Sequence, residues 1–575
     1  MNFQPILQEL VKQKKYSELI FFIQTKIPEK EKNSGILNLL GTARLSKSKE
    51  IEGGDKINEI FLAIEDFRSA HLKEKNTPGS LKGLQNFIDV SVFLFDKLSR
   101  QTSDNSKLIQ LLKDADSYYD KNTELYESDI PTLLAIIKLY KRFTNPEKVK
   151  FYYDKLIEKK FLKTKSIISY IYQNCYFDEW TQSDFYKNTK ILNDSLIRFP
   201  ENKLKLLSTK YSNIKNKKIK IGFFSSDLNR NHSVSFFVKS ILQNYDKNLY
   251  EIYLYLNHKK KDEGQIANDN KKLVEKHRHL FELSDIEAIN LIRSDKIDVF
   301  IDLMGITSES RLQLIKNRVA PIQISWCGYC NTTGIKEMDY IITDKNLVFE
   351  SEKNLYHEEI LFMPKIWSCH PGFDIKRNLK ILPNIDNNSI VFGSFNNFNK
   401  VNQTVIDTWC EILTKVKNSK LLLKSSSPRI SDILSKRFED KNLLDSVELI
   451  NWTKNFEEHL NSYNKIDIGL DTFPYNGVTT TFEALWMGVP VLTMDGFNFN
   501  SRCGSSIINN LNLSELVAEN VKDYVLKAIK LSNDKNKLLD LRKQIFNNVP
   551  ISPIFDQKKF TSDFFDLIKK REYFD

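Results

Sequence analysis

No stretch of this sequence holds about 18 consecutive apolar residues, so no segment is long enough to cross a bilayer as a helix. The opening MNFQPILQELVKQKKYSEL has no apolar signal core and sets its charges on a helical period, so a cytoplasmic protein is the expectation. Cysteine is scarce. Six residues, Cys175, Cys327, Cys330, Cys369, Cys410 and Cys503, are scattered through 575 positions, which excludes a disulfide framework. A Gly-Lys-Ser/Thr ending to a glycine-rich turn is missing, which excludes a nucleotide-hydrolysing P-loop. Asp-x-Asp occurs once, as Asp114-Ala115-Asp116, inside a helical pattern and not at a strand end. The net charge of +11 rests on lysine, clustered at Asn216-Lys217-Lys218 and from His258 to Lys261. No recognition motif accompanies it, so these clusters read as solvated faces and nucleic-acid binding is not expected.

What is present is a globular composition, 41% hydrophobic and 28% charged, in a chain long enough for two or three domains. Residues 1–210 read as helices joined by polar turns, with Ile6, Leu7, Leu10 and Val11 on a helical period. Leu37-x-x-Leu40-Gly41, Ala63-x-x-x-Phe67-x-x-Ala70 and Pro78 resemble a degenerate tetratricopeptide (TPR) repeat with an insertion around Ser48 to Lys56. A second helix pair is expected from Thr132 to Lys160. Such pairs either stack into a solenoid with a groove for peptide or simply cap a catalytic core, and the fold alone does not choose. The joint is the lysine-rich KLKLLSTKYSNIKNKK, residues 203–218.

After the joint, strand and helix patterns alternate, which implies parallel sheets. Strands are expected at Ile219 to Ser226, Tyr250 to Leu256, His279 to Leu283, Ile297 to Leu303, Ile322 to Trp326, Tyr340 to Thr343 and Ile360 to Met363. The pattern breaks around Cys369 to Asn387 and restarts at Ile390 to Ser394. Lys420 to Lys424, Val447 to Asn451, Asp467 to Leu470 and Pro490 to Thr493 follow. The expected division is a helical domain at 1–210, one Rossmann-like lobe at 218–380 and a second at 388–575.

The most informative stretch is DIGLDTFPYNGVTTTFEALWMGVPVLTMDG, Asp467 to Gly496, which reads strand, turn, helix, strand. Three threonines stand where a helix would start, and a helix start with hydroxyls and free N–H groups suits a diphosphate. Thr480 to Glu483 is equally a capping box, with Thr480 as cap and Glu483 reaching back.

DTFPYNGVTTTFEALWMGVPVLTM resembles the nucleotide-sugar loop of the O-GlcNAc transferase/SPINDLY family of glycosyltransferases (family 41). KIGFFSSDLNRNHSVSFF from Lys220, APIQISWCGYCNTTGIKEMDYIITD from Ala320 and IVFGSFNNFNKVNQTVIDTW from Ile390 resemble three further family motifs, in family order. The resemblance implies an α/β fold of two Rossmann-like lobes (GT-B) behind the all-α, TPR-like N-terminal region. It implies an enzyme that moves a sugar from a nucleotide sugar to Ser/Thr hydroxyls of an acceptor protein, with inversion, no metal and no other cofactor. UDP-GlcNAc is the leading donor, with GDP-fucose or UDP-glucose as alternatives. Lys400 matches the family lysine that contacts the diphosphate, and Thr479 and Thr480 match the phosphate-binding helix start. Glu483 stands at the ribose-binding acid, His459 at the histidine near the base and Asn397 at a donor contact. His232 matches the cleft histidine, a positioning group or base, and His279 a second cleft histidine. Gly328, Tyr329 and Thr332, with Thr333 and Gly334, match the loop that approaches the sugar, where glycine allows close backbone contact. Three other readings stand beside this one. Cys327-Gly328-Tyr329-Cys330 imitates a thiol redox motif; Cys327, Cys330, Cys369 and His370 could hold zinc; and the chain could be a non-catalytic helical-repeat scaffold.

Overall fold

The computed structural model describes residues 3–569 apart from 75–76, 99–105, 121–128, 143–144, 162, 208–217, 230–231, 308, 378, 380–388, 425–434, 451–452 and 454. Most of the expected joint at 203–218 and Asn231 of the histidine motif therefore lie outside the described residues. The chain divides into two compact units, with the break after Phe161.

The first unit is helical: α1 (Gln4–Lys12), α2 (Tyr16–Lys26), α3 (Ser34–Lys47), α4 (Gly53–Lys73), α5 (Pro78–Leu98), α6 (Ser106–Asp120), α7 (Ile130–Arg142) and α8 (Pro146–Glu158). Sequence neighbours pack on one another, α3 on α4, α4 on α5 and α7 on α8. The repeat-like pattern has a packing cause. A Cβ on Gly41 would lie 2.6 Å from the Phe67 ring, so the glycine lets α3 close onto α4. Pro78 opens α5, where its missing N–H costs nothing. The one Asp-x-Asp lies in α6 as expected, with Asp114 held by Arg68 at 2.9 Å and Asp116 accepting from the Tyr140 hydroxyl.

The second unit begins with α9 (Thr164–Asn174) and α10 (Gln182–Asp194). The helical stretch expected to run to residue 210 is thus split between the units. Ile167, Ile171, Phe185 and Leu192 share one core with Phe224, Ile292, Tyr329 and Ile335 of the α/β region. Helical periodicity shows that a face is apolar; it does not show which core receives it.

The first sheet comprises β1 (Ile219–Ser225), β2 (Tyr250–Leu256), β3 (Lys276–His279), β4 (Val299–Asp302), β5 (Ile322–Ser325), β6 (Tyr340–Asp344) and β7 (Glu359–Met363). All pairings are parallel, in the order β3-β2-β1-β4-β5-β6-β7. The second comprises β8 (Ile390–Ser394), β9 (Ser419–Lys424), β10 (Val447–Ile450), β11 (Ile468–Leu470), β12 (Val491–Met494) and β13 (Val517–Ala518). It is also parallel, in the order β10-β9-β8-β11-β12-β13. Each order reverses once, between β1 and β4 and between β8 and β11. Ligands of such sheets sit beyond the carboxyl ends of the strands at these points. Most strands are buried on both faces and read as continuous apolar runs. The edge strands β3 and β10 are only part-buried, and β3 corrects the sequence expectation: it is Lys276–His279, not His279 to Leu283, because an edge strand carries polar side chains while Leu280 and Leu283 lead into the helix capped by Ser284.

The helices that matter for the site are α11 (Ser233–Asn244), α12 (Gln403–Lys415), α13 (Phe456–Ser462), α14 (Thr479–Trp486), α15 (Cys503–Asn509) and α16 (Gln557–Lys569). Although it follows the second sheet in sequence, α16 returns to the first, where Phe564 packs on Trp326 and Phe223 and Phe565 stacks on Tyr250. The lobes also meet around His370, whose ring lies among Phe237, Phe373, Phe482 and Phe555.

Candidate functional site

The second lobe gathers its polar groups at the β8/β11 reversal. After β11, Asp471 folds the loop over itself: its Oδ1 accepts from Gly477 N–H at 2.6 Å and Thr472 N–H at 2.8 Å, and its Oδ2 from the Thr493 hydroxyl at 2.8 Å. Burial pushes the Asp471 carboxyl up to about 6, against the pull of these donors. After β8, Asn396 bridges the two loops, giving its amide to Asp471 at 3.1 Å and accepting from the Thr480 hydroxyl at 2.9 Å.

The two readings of Thr480 to Glu483 now separate. Helix α14 starts at Thr479 behind Val478, and no side chain caps it. Thr480 is inside the helix with its hydroxyl on Asn396, and Glu483 turns away from the helix start. The capping box is not formed, so the first-turn N–H groups keep their positive dipole end uncapped by any side chain.

Lys400 reaches the same loop. Its Nζ donates to the Asn476 carbonyl at 2.6 Å and sits 4.2 Å above the Tyr475 ring. Burial draws its pKa below the ordinary lysine range, and nearby Asp471 opposes that. Among the described residues no carboxylate lies within ion-pair distance of this ammonium. Asn397 is exposed and its side chain is turned to Asn399 N–H at 3.0 Å, holding the short turn that carries Lys400.

On the other side of α14, Glu483 is only 5% exposed. Its Oε2 accepts from His459 Nε2 at 2.9 Å and from the Tyr463 hydroxyl at 2.8 Å. Lys424, the last residue of β9, donates to His459 Nδ1 and to the Thr453 hydroxyl. That contact fixes the imidazole as the Nε2–H tautomer. Lys424, Asn396, Asp471 and Tyr463 were not picked out from the sequence. Lys424 was findable, because it ends an apolar strand run where ligands of such sheets collect.

In the first lobe His232 is the N-cap of α11. Its Nδ1 accepts from Val234 N–H at 3.4 Å and lies 3.9 Å from Asp227. The loop after β5 departs from expectation. A Cβ on Gly328 would lie 1.7 Å from the Leu303 carbonyl, so this glycine admits the chain leaving β4. Tyr329 is 3% exposed and belongs to the core that includes α9 and α10. Thr332 is fully buried, its hydroxyl on Glu358 at 2.7 Å, and Thr333 N–H donates to the same carboxylate. Thr332 and Thr333 thus satisfy the buried Glu358 carboxylate, which needs their donors once it is out of water. His279 ends β3 beside His258 and Glu263.

The cysteine readings fail on chemistry. All six thiols are free, and burial pushes Cys327 well above the ordinary thiol range, the opposite of a redox nucleophile. Among the described residues Cys327, Cys330, Cys369 and His370 do not gather as a ligand set. His370 instead accepts from Gly372 N–H at 3.1 Å.

Two parallel Rossmann-type sheets, each offering loops at its strand carboxyl ends, define a GT-B fold of the glycosyltransferase class. The model of glycosyl transferase family 41 matches residues 201–373 and 374–564, and the chain belongs to this family. A probable UDP-N-acetylglucosamine–peptide N-acetylglucosaminyltransferase SPINDLY of Solanum lycopersicum is 33% identical over 360 residues, 61% of this chain and 38% of that one. An Arabidopsis thaliana protein of the same description is 32% identical over 366 residues, 61% of this chain and 39% of that one. The UDP-N-acetylglucosamine–peptide N-acetylglucosaminyltransferase of Caenorhabditis elegans is 24% identical, over 61% of this chain and 40% of that one. The matches span about two fifths of these relatives' length. A solved point mutant of the Thermobaculum terrenum O-GlcNAc transferase shares the fold, with TM-score 0.74 and 23% identity over 92% of this chain and 96% of that one.

Proposed function

We propose that this chain is an inverting glycosyltransferase that moves GlcNAc from UDP-GlcNAc to Ser or Thr hydroxyls of proteins, without a metal at the diphosphate. The observation that carries this reading is the uncapped start of α14 beside an ammonium with no carboxylate within ion-pair distance among the described residues. In the proposed reaction the acceptor oxygen attacks the anomeric carbon and the bond from that carbon to the diphosphate oxygen breaks. The electron pair leaves with UDP, and the hydroxyl proton passes to a base or water. Lys400 and the first-turn N–H groups at Thr479 and Thr480 stabilise the charge on the leaving diphosphate. Glu483, with Oε2 held by His459 and Tyr463, offers Oε1 to the ribose hydroxyls, and the His459 ring borders the base. His232 positions the acceptor. Asn397 holds the Lys400 turn. Gly328, Tyr329 and Thr332 set the cleft wall from behind. The helices of the first unit present the protein acceptor. UDP-GlcNAc and a peptide acceptor both stand in the descriptions of the relatives.

The second reading keeps the site and changes the donor to GDP-fucose. It stands beside the first because the site residues named above hold a diphosphate and a ribose, which both donors share. Thermal shift and donor hydrolysis with UDP, GDP, UDP-GlcNAc, UDP-glucose and GDP-fucose decide between them. Stabilisation by UDP and cleavage of UDP-GlcNAc are expected; a response to GDP and GDP-fucose alone would overturn the donor assignment.

A further inference from the structure

The first lobe carries a second polar cluster that the transfer chemistry above does not use. His258 follows β2, Glu263 lies five residues on in the same loop, and His279 is the last residue of β3. His258 Nε2 lies 3.2 Å and His279 Nε2 3.4 Å from the same oxygen, Glu263 Oε1. The three potential ligand atoms all fall within 4.8 Å of one another. Ligands about 2.0–2.1 Å from a tetrahedral zinc ion are separated by about 3.3–3.4 Å, close to the two separations found here.

We infer that His258, Glu263 and His279 form a binding site for one divalent transition-metal ion, zinc by the character of its ligands. Two imidazoles and a carboxylate leave the fourth tetrahedral position open to water. The site is built, not a surface accident. His258 is 5% exposed, and both histidines turn Nε2 to the same carboxylate oxygen. Two imidazole nitrogens crowd one carboxylate oxygen at distances too long for strong hydrogen bonds. An ion between them replaces these weak contacts with coordination.

Lys271 is the counterweight. Its ammonium pairs with Glu263 Oε2, leaving Oε1 for the metal but repelling a second cation. The ion would join the loop after β2 to the end of β3. That loop is already tied to the one leading towards His232, with Gly264 N–H on the Asn229 carbonyl at 2.9 Å and the Asn229 amide on the Asp262 carbonyl at 3.4 Å. Metal binding is therefore a brace on the acceptor side of the cleft, separate from the diphosphate site in the other lobe.

The test uses the full chain, stripped with chelator and titrated with zinc against a chromogenic competitor. About one equivalent should bind, zinc should raise the melting temperature, and both effects should vanish in His258→Ala. Failure of the wild type to retain zinc, or equal retention by His258→Ala, overturns the site. If His258→Ala does not fold, Lys271→Gln decides. Its zinc Kd should fall tenfold or more once the competing ammonium is gone, and an unchanged Kd overturns the proposal.

Discussion

At the scale of the residue, the groups around α14 differ in what they can lose. Lys400 is held by one carbonyl and one ring face, so its removal takes away a positive charge and little else; at the proposed site that charge faces the leaving diphosphate. Lys400→Ala should lower turnover by about 10²-fold or more while the protein melts normally. Unchanged turnover in a folded variant would remove the assignment. Thr332→Val should act the other way. Its hydroxyl serves buried Glu358, so about 1–3 kcal/mol of stability should be lost, read as a lower melting temperature, with the donor KM little changed. Asp471 links pH to both properties. Its native carboxyl titrates at about 6, above the ordinary 3.8, so between these values the native state binds the proton more readily than the unfolded chain. Through this group the fold becomes more stable as pH drops from 7 towards 5. The same proton weakens an acceptor that holds Gly477 and Thr472. Turnover should therefore fall through about pH 6 while this contribution to stability rises. A pH–rate profile with no change near 6 would refute the coupling. Lys400, Thr479, Thr480 and Glu483 were all legible from sequence motifs. The burial of Tyr329 and Thr332 was not, because a motif fixes which residues are near one another in sequence and not which way each side chain turns.

At the scale of the element, α14 shows how a local signal misleads. Thr480-x-x-Glu483 has the spacing of a capping box, and in isolation it would form one. Asn396 takes the threonine hydroxyl instead, and His459 and Tyr463 take the carboxylate. Three partners from other elements outweigh a local cap worth about 1 kcal/mol. The loop before the helix is equally constrained. A Cβ on Gly477 would lie 2.6 Å from Thr480 Oγ1 and 2.9 Å from Asn396 Oδ1. Gly477→Ala should break that bond and raise the donor KM by about tenfold, roughly the weight of one hydrogen bond at this site. A donor titration showing no change would mean that the bridge does not shape the site.

At the scale of the molecule, the break after Phe161 changes how the N-terminal helices are to be tested. Removing residues 1–161 should leave the second unit folded and able to hydrolyse donor, with transfer to protein acceptors lost first. Removing residues 1–200 also strips α9 and α10 from the core around Phe224 and Ile292, and the remainder should melt tens of degrees lower or fail to fold. Equal loss of donor hydrolysis in both truncations would mean the first unit is structural support. The sequence by itself determined the helix and strand types, the two parallel sheets and the motif at Asp467 to Gly496, because periodicity and loop chemistry are local properties. Only the tertiary structure decided which core receives α9 and α10, that Lys424 joins His459 and Glu483, and that His258, Glu263 and His279 converge. Those contacts join side chains from separate strands and loops, whose meeting is set by the order of strands in the sheet and leaves no regular spacing in the chain.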